Sequence, residues 1–265
     1  MLRFVSHRRV TEITCSASNP GTALTDTSSN ENSSGPAKIT LLKPWQLLGK
    51  TIAPDGTVLK LTRRADEYII AADDKSLMSS RMHGSEDALA TLGCAKASTL
   101  PRPCVLVGGL GMGFTLRAAL DVLPRQATVI VSEILPAVVE WNRGPLGALA
   151  GHPLNDARVS IQAGDVRTLL SAARARFDVV LLDVDNSPSE FTIAGNAGLY
   201  DDRGVTAIRA ALKPDGVLAV WSARQDPKFE QRLRRAAFAV QANPVRARQR
   251  QGGGHHTIFV AEKPA

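Results

Sequence analysis

The feature that most limits the possible folds is a regular alternation of short apolar runs and helical patterns after Pro103. The runs CVLVGG, ATVIVSE, RVSIQAGD, FDVVLLDVD and GVLAVWSA are short and nearly continuous in apolar character. The segments between them carry apolar residues at helical spacing, for example Val205, Ile208 and Leu212. Strands that helices cover on both faces have this continuous pattern. We therefore predict an α/β fold with a doubly wound, mainly parallel sheet.

The chain before this alternation divides into two segments of different composition. Residues 14–37 are rich in Ser, Thr, Asn and Gly and offer too little apolar surface to offset the entropy of ordering, so we expect residues 1–38 to form a disordered tail. Residues 39–82 carry short alternating runs separated by the turn signals Pro54-Asp55-Gly56 and Asp73-Asp74. They predict a small β-meander.

The alternation within this meander places Leu59 and Leu61 on one face and Tyr68 and Ile70 on another. We assign residues 83–265 to the main domain. Its first helix is expected to begin at Ser85 as the N-cap.

Composition and charge exclude several classes of protein. Hydrophobic residues make up 44% of the chain, yet no apolar run approaches the ~18 residues of a membrane span. The net charge of +7 is compatible with an anionic partner, but the C-terminal arginines have no aromatic residues between them, which favours a solvated surface over nucleic-acid binding. Three cysteines without a CxxC pair predict a reducing, cytoplasmic location. The adjacent His255 and His256 would face opposite sides of a strand, so we predict no metal site.

The first apolar run ends in a glycine-rich turn, GGLGMG at residues 108–113, that opens directly into a helix. Ligands of open α/β sheets bind at such turns, where glycine lets the backbone approach them. Phe114 stands where a dinucleotide fingerprint has glycine, and the Gly-Lys-Ser/Thr of a P-loop is missing. The spacing of Gly109, Gly111 and Gly113 therefore favours a nucleoside without a pyrophosphate, although tight strand–helix packing would also select glycine.

Acidic residues end the next two strands. Glu133 closes the second strand, where a carboxylate can accept hydrogen bonds from both ribose hydroxyls. Gly164 and Asp165 end the third strand. The Asp165 carboxylate could hydrogen-bond an adenine amino group, or it could cap the following helix.

The fourth strand ends with two further carboxylates. Asp183 and Asp185 share one side of the strand and point into the crevice. Clustered carboxylates can hold an amine by charge and accept its proton during attack, a role worth typically ~10²–10⁴ in rate. The alternative is an Asx turn before Pro188 with a cap for the next helix. Tyr200, in GLYDDRG, either lines an acceptor pocket or packs in the core.

Taken in order, these motifs resemble the spermidine-synthase-like branch of the class I S-adenosylmethionine-dependent transferases, which have a Rossmann-like sheet. The resemblance covers about residues 47–262 and is carried by VLVGGLGMGFTLR, FDVVLLDVD, LKPDGVLAVWS and GGHHTIFVAEK. It implies that Glu133 binds the ribose, Asp165 contacts adenine and Asp183 activates the amine. Glu86 and Asn186 become candidates for substrate binding, and a homodimer is possible in such a family.

Departures from the polyamine-synthase pattern bear on the reaction. Met112 stands where such enzymes usually carry an aspartate that holds the ammonium of the aminopropyl group, and an apolar side chain cannot pair with that cation. Further departures are Gly84-Ser85, Ala118 and Asp185-Asn186. We therefore predict a transferase that binds ordinary S-adenosylmethionine and transfers a methyl group to a small amine or similar nucleophile. Asp183 is the expected acid of the reacting centre, with Asp185 secondary.

Three alternatives remain open at this stage. One is a polyamine aminopropyltransferase that uses decarboxylated S-adenosylmethionine. Another is a non-catalytic nucleoside-binding or RNA-binding protein that uses the arginine-rich face. An NAD-dependent oxidoreductase is the third. Because acceptor pockets are assembled from loops, the sequence does not identify the acceptor.

Overall fold

The structure of the chain is a computed structural model, and it describes residues 43–184, 197–247 and 254–265. These residues belong to one unit of the chain, Lys43–Ala265, and form two β-sheets with their helices. The predicted disordered tail lies outside the described residues, as do the candidate site residues Asp185 and Asn186.

A small antiparallel sheet begins the described part and confirms the expected N-terminal β-element. Its four strands pair in sequence order. They are β1 (Gln46–Ile52), β2 (Val58–Arg64), β3 (Glu67–Ala72) and β4 (Lys75–Ser79). The placement of Leu61 and Ile70 on different faces was wrong, because the two are direct antiparallel partners and their side chains are buried on one face.

The larger sheet has seven strands in the order β10-β11-β9-β8-β5-β6-β7. The five strands from β9 to β7 are parallel, while β11 and β10 are antiparallel additions at one edge. The sheet confirms the predicted mainly parallel architecture. The strands are β5 (Cys104–Gly108), β6 (Thr128–Glu133), β7 (Val159–Ala163), β8 (Phe177–Leu182), β9 (Leu212–Ser222), β10 (Ala239–Arg246) and β11 (His255–Glu262).

Seven α-helices occur in the described ranges, and the larger sheet has a buried apolar cluster on each face. They are α1 (Gly84–Gly93), α2 (Phe114–Val122), α3 (Pro136–Arg143), α4 (Val166–Ala172), α5 (Ala197–Tyr200), α6 (Asp202–Ala211) and α7 (Pro227–Arg235). Short 3₁₀ turns lie at Ala97–Thr99, Gly147–Ala150 and Pro153–Asn155. None of these helices has the length and apolar character needed to cross a membrane.

The first helix corrects one local expectation. Helix α1 begins at Gly84 with His83 in the N-cap position, so Ser85 lies inside the first turn and is buried. The His83 ring stacks on Phe114 with ring centroids 4.3 Å apart, and its Nδ1 lies 3.0 Å from Asp87. The helix therefore starts two residues earlier than predicted, and the Ser85 hydroxyl donates a hydrogen bond to its neighbour Glu86 instead of capping the helix.

The strand order places a crevice next to β5. The chain runs from β5 to β6 and β7 on one side of the sheet, and then returns to β8 on the other side of β5. At such a topological switch point, the loops that follow neighbouring strands leave in opposite directions and open a cleft at the carboxyl edge. The turn after β5 lies at this point.

Candidate active site

A pocket opens at the carboxyl edge of the parallel strands and is closed on one side by the small N-terminal sheet. Residues from the ends of β5, β6, β7, β8 and β9 line it. Seven of the residues predicted from the sequence line this pocket: Glu86, Gly109, Gly111, Glu133, Gly164, Asp165 and Asp183. The predicted cluster at the sheet edge therefore exists as one continuous surface.

The glycine turn needs glycine at two positions for different reasons. Gly109 has φ +86°, and a Cβ there would run into the backbone carbonyl of Asp183. Gly111 has φ +51°, and a Cβ there would lie 2.8 Å from the Sδ of Met78. Both glycines line the pocket, whereas Gly113 caps α2 and is not among the lining residues. The turn thus brings bare backbone to the pocket wall.

Glu133 is buried at the end of β6 and its carboxylate is oriented by backbone amides. Its two oxygens accept hydrogen bonds of 2.9 Å from the amides of Leu110 and Leu135. Burial raises the pKa of this carboxyl, while the backbone hydrogen bonds oppose the rise. A carboxylate has about four lone-pair sites, so these amides leave Glu133 with acceptor capacity for a ligand hydroxyl.

Asp165 caps a helix and also lines the pocket, so its position is compatible with both of the roles predicted from the sequence. Its Oδ1 accepts from the Arg167 amide at 2.8 Å and caps α4, and its Oδ2 accepts from the Arg167 guanidinium. Burial raises the pKa of Asp165, but hydrogen bonds and charge from Arg167 outweigh it, so the pKa lies below its ordinary value. The carboxylate lines the pocket and is already largely paired.

Glu86 and Asp183 form a pair of buried acids on the other side of the glycine turn. Asp183 follows β8, and its Oδ2 accepts a 2.8 Å hydrogen bond from the Thr115 hydroxyl. Glu86 lies in the first turn of α1, 8% exposed, and its Oε2 accepts a 2.6 Å hydrogen bond from Ser85. Each acid thus has one hydroxyl donor, and no cation balances either among the described contacts.

The ionisation of this pair is shifted toward neutral pH. Burial, followed by the charge of Asp183, raises the pKa of Glu86 to about 7. Burial raises the pKa of Asp183 to about 6, against the opposing effect of the Thr115 hydrogen bond. Two acids that repel each other in this way give up their protons in two steps, so this pair can take up a proton near neutral pH.

Several residues of the site were not found by sequence reasoning. Thr115 and Ser85 do not line the pocket, but their hydroxyls donate to Asp183 and Glu86. Thr115 lies in the VLVGGLGMGFTLR motif and Ser85 directly precedes Glu86, and these positions are the signal that could have found them. The side of the pocket formed by the N-terminal sheet was also missed. It is lined by Thr57, Leu59, Ile70, Ala72, Leu77 and Met78, together with Trp221 at the end of β9. These positions are set by how the small sheet docks on the large one.

Two candidates do not meet the pocket as expected. Tyr200 is 2% exposed, packs edge-on against Phe229 with ring centroids 5.5 Å apart, and is not a lining residue, which matches the packing alternative. Met112 is 1% exposed in the apolar core. The side chain of Met112 therefore does not face the pocket, and its apolar character says nothing about the donor.

The charged residues among the described lining residues of the pocket are all acidic. Among the described residues that line it there are four carboxylates, Glu86, Glu133, Asp165 and Asp183, and no Lys, Arg or His. Within the described ranges no group of three or more His, Cys, Asp or Glu is arranged to hold a metal ion. Such a surface favours ligands that carry positive charge.

Comparison with known proteins identifies the family. The model of the spermine/spermidine synthase domain matches residues 86–243. Spermidine synthase from Thermotoga maritima superposes with a TM-score of 0.64 at 20% identity, covering 82% of this chain and 72% of that one. A spermidine synthase in complex with the transition-state analogue AdoDATO gives a TM-score of 0.63 with the same identity and coverage.

A third solved structure, a probable spermidine synthase from Corynebacterium glutamicum, has a TM-score of 0.56 at 14% identity, covering 81% of this chain and 79% of that one. No curated protein sequence matched. The structural matches show a shared fold, and the family model covers more than half of the chain, including all of the pocket residues between Glu86 and Trp221. The chain therefore belongs to the spermine/spermidine synthase family of transferases.

Proposed function

We propose that this protein transfers an aminopropyl group from decarboxylated S-adenosylmethionine to an amine. The sequence prediction of methyl transfer from ordinary S-adenosylmethionine has no specific support, whereas family membership supports the aminopropyl alternative. The sequence argument for methyl transfer depended mainly on Met112, and that side chain lies in the core instead of the pocket.

The observation that carries this proposal is that the charged residues among the described lining residues of the pocket are all acidic. Glu86 and Asp183 are among the four carboxylates that line it, and no described lining residue is a cation. Ordinary S-adenosylmethionine brings a carboxylate, and two like charges ~4 Å apart repel by about 4 kcal/mol at an effective dielectric constant of 20. The decarboxylated donor has lost that group and keeps its sulfonium and ammonium, so its charge complements the pocket.

The described residues along the sheet edge would bind different parts of the donor. Glu133 would accept a hydrogen bond from the ribose with its remaining lone-pair capacity, and the bare backbone at Gly109 and Gly111 would lie against the nucleoside. Asp165 is already paired with Arg167, so its part at the adenine end would be to hold the start of α4 in place.

Asp183 would act at the reacting carbon. The amine nitrogen forms a bond to the carbon next to the sulfonium, the carbon–sulfur bond breaks with its electron pair going to sulfur, and neutral methylthioadenosine leaves. The proton released by the new ammonium goes to the Asp183 carboxylate, whose raised pKa suits a base working near neutral pH. Glu86 adds a second negative charge that holds the cationic groups in position.

Calorimetric titration tests the choice of donor. The account predicts that decarboxylated S-adenosylmethionine binds at least ten-fold more tightly than S-adenosylmethionine. Methylthioadenosine should be released only when an amine is also present. Tighter binding of the carboxylated donor, or equal binding of the two, would contradict the proposal.

A further inference from the structure

We infer that Asn142 is a positioning residue for the donor, because it fixes the orientation of the glycine turn from the side away from the pocket. The inference rests on the proposed donor site at Glu133 and the glycine turn, and it adds to that site a residue that does not touch the ligand. Asn142 lies near the end of α3, is 1% exposed and is not among the lining residues.

The side-chain amide of Asn142 holds a carbonyl of the turn. Its Nδ2 donates hydrogen bonds to the carbonyl of Gly111 at 2.8 Å and to that of Val138 at 2.9 Å. Two carbonyl acceptors define this end of the amide as the nitrogen. The described hydrogen bonds give the Gly111 carbonyl no other donor. Since Gly111 lines the pocket and Asn142 does not, this carbonyl points away from the pocket.

The orientation of this carbonyl is what distinguishes related turns from one another. The Gly113 amide donates to the Leu110 carbonyl at 2.8 Å, which closes a four-residue turn with a φ of +51° at Gly111. Turn types with such ends differ in the orientation of the peptide between the two central residues, which here are Gly111 and Met112. Because that peptide is planar and trans, a carbonyl held by Asn142 points the Met112 N–H the opposite way. The contact therefore decides which end of the peptide faces the pocket.

The segment that carries Asn142 also holds the neighbouring residue of the turn. Oε2 of Glu133 accepts a 2.9 Å hydrogen bond from the Leu110 amide, and α3 begins at Pro136, shortly after this acid. The segment after β6 thus holds two consecutive residues, the N–H of Leu110 and the carbonyl of Gly111. Loss of the second contact lets the turn move relative to the carboxylate proposed to hold the ribose. Affinity for the nucleoside should therefore depend on Asn142.

The other atom of the amide indicates that Asn142 is not present for stability alone. Its Oδ1 is buried and has no hydrogen-bond partner within the described residues. It occupies the space left by the missing side chain of Gly113, where a Cβ would lie 2.9 Å from it. A buried acceptor without a partner costs stability, and a leucine of nearly the same shape would avoid that cost. A task for the Nδ2 donor at Gly111 explains why an amide is found here.

Asn142→Leu tests the inference, because it removes the donor and keeps the branched shape of the side chain. In calorimetric titration of the full chain with methylthioadenosine, Kd should rise at least ten-fold with the number of sites per chain unchanged. A variant that merely folds less completely would lose sites and keep the native Kd. Asn142→Ala repeats the measurement with a smaller side chain, should leucine not fit. A native Kd in either folded variant would overturn the inference.

Val139→Ala is the matched control on the same helix. Val139 is buried and does not line the pocket. Its truncation should lower Tm by leaving a cavity, and it should leave the Kd for methylthioadenosine within a few-fold of the native value. A loss of affinity as large as that of Asn142→Leu would show that any weakening of α3 has this effect, and the specific role of Asn142 would fall.

A second pair of variants reaches the same contact from the turn. Gly113→Ala places a Cβ against Oδ1 of Asn142 and should push the amide away from Gly111, so Kd should rise although Gly113 does not line the pocket. Gly151→Ala is its control, because Gly151 also has a positive φ, +63°, with nothing within 4 Å of the added Cβ. Equal Kd values for the two variants would contradict the inference.

Kinetics with decarboxylated S-adenosylmethionine and an amine separate this inference from the proposed function. In Asn142→Leu the KM for the donor should rise, while kcat stays within a few-fold because Asp183 keeps its Thr115 partner. A lower kcat at unchanged KM would refute the positioning role and leave aminopropyl transfer supported. Failure of the native protein to bind methylthioadenosine would refute the donor site and this inference together.

Discussion

The hydroxyl of Thr115 donates a 2.8 Å hydrogen bond to Oδ2 of Asp183 and so joins the first turn of α2 to the end of β8. The bond favours the ionised form of Asp183, in a place where burial favours the protonated form. Thr115 is itself buried, which keeps water from replacing this donor. The relationship makes Thr115 a positioning residue for the proposed base.

Asp183→Asn removes the proposed base and keeps the shape of the side chain. We expect turnover to fall by ~10²–10⁴ because the amine proton has no carboxylate to accept it. Donor affinity, measured by calorimetry, should stay within a few-fold, since the proposed nucleoside contacts lie at Glu133 and the glycine turn. Unchanged turnover would reassign Asp183 to a structural part.

Thr115→Val removes the hydroxyl and keeps the volume. With its only described hydrogen-bond donor gone, the pKa of Asp183 should rise further, and the acid limb of the kcat/KM profile should move to higher pH. Thr115→Ser keeps a hydroxyl and should leave the limb close to that of the native protein. An identical pH profile for Thr115→Val would show that the bond does not tune Asp183.

The reaction should lose rate as pH falls through the range in which the acid pair takes up protons. The pKa of Asp183 is raised to about 6 and that of Glu86 to about 7, so kcat/KM should fall between about pH 7 and 6. Ordinary carboxylates would place this limb near pH 4. A profile that stays flat down to about pH 5 would contradict the account of the pair.

Glu86→Gln should stabilise the protein at the expense of its function. The pKa of Glu86 is higher in the folded protein than in the unfolded chain, so the folded state binds this proton more tightly. As the pH rises above the ordinary pKa of a glutamate, the ionisation of Glu86 therefore lowers the free energy of unfolding. The variant should therefore raise Tm at pH 8 and change it little at pH 5. Thermal unfolding at the two pH values checks this, and a lower Tm at pH 8 would contradict it.

Gly109→Ala tests the close approach at the glycine turn. The added Cβ meets the Asp183 carbonyl at a φ of +86°, so we expect lower Tm and weaker donor binding. Gly56→Ala is a matched control, because Gly56 has φ +90° with nothing within 4 Å of the added Cβ. It should cost only the backbone strain, roughly 1–2 kcal/mol, and leave donor affinity unchanged. Equal effects of the two substitutions on donor binding would remove the turn from the site.

The parallel strands of the large sheet could be predicted because each has a recognisable local sequence pattern. FDVVLLDVD and CVLVGG are apolar throughout, and strands with both faces buried must be so. The residue types at their carboxyl ends then follow from the general rule that ligands bind there, which is why Glu133 and Asp183 were found. The edge strand β10 was missed because it alternates polar and apolar residues and contains Pro244.

The rest of the site depends on contacts between distant segments, which no local pattern records. Leu59 and Ile70 are typical residues of an antiparallel strand, and only the docking of the small sheet makes them a wall of the pocket. Met112 was misjudged for the same reason, because a position in a motif does not fix the direction of its side chain. Ser85 was read as a cap, although the contacts of His83 start the helix earlier.

The central claim is that an aminopropyl group passes from a decarboxylated sulfonium donor to an amine beside Asp183. The most direct measurement is mass spectrometry of the products formed from equimolar S-adenosylmethionine and decarboxylated S-adenosylmethionine with n-pentylamine and 1,4-diaminobutane together. The account predicts an aminopropylated amine together with methylthioadenosine. A methylated amine accompanied by the demethylated form of the carboxylated donor would contradict it.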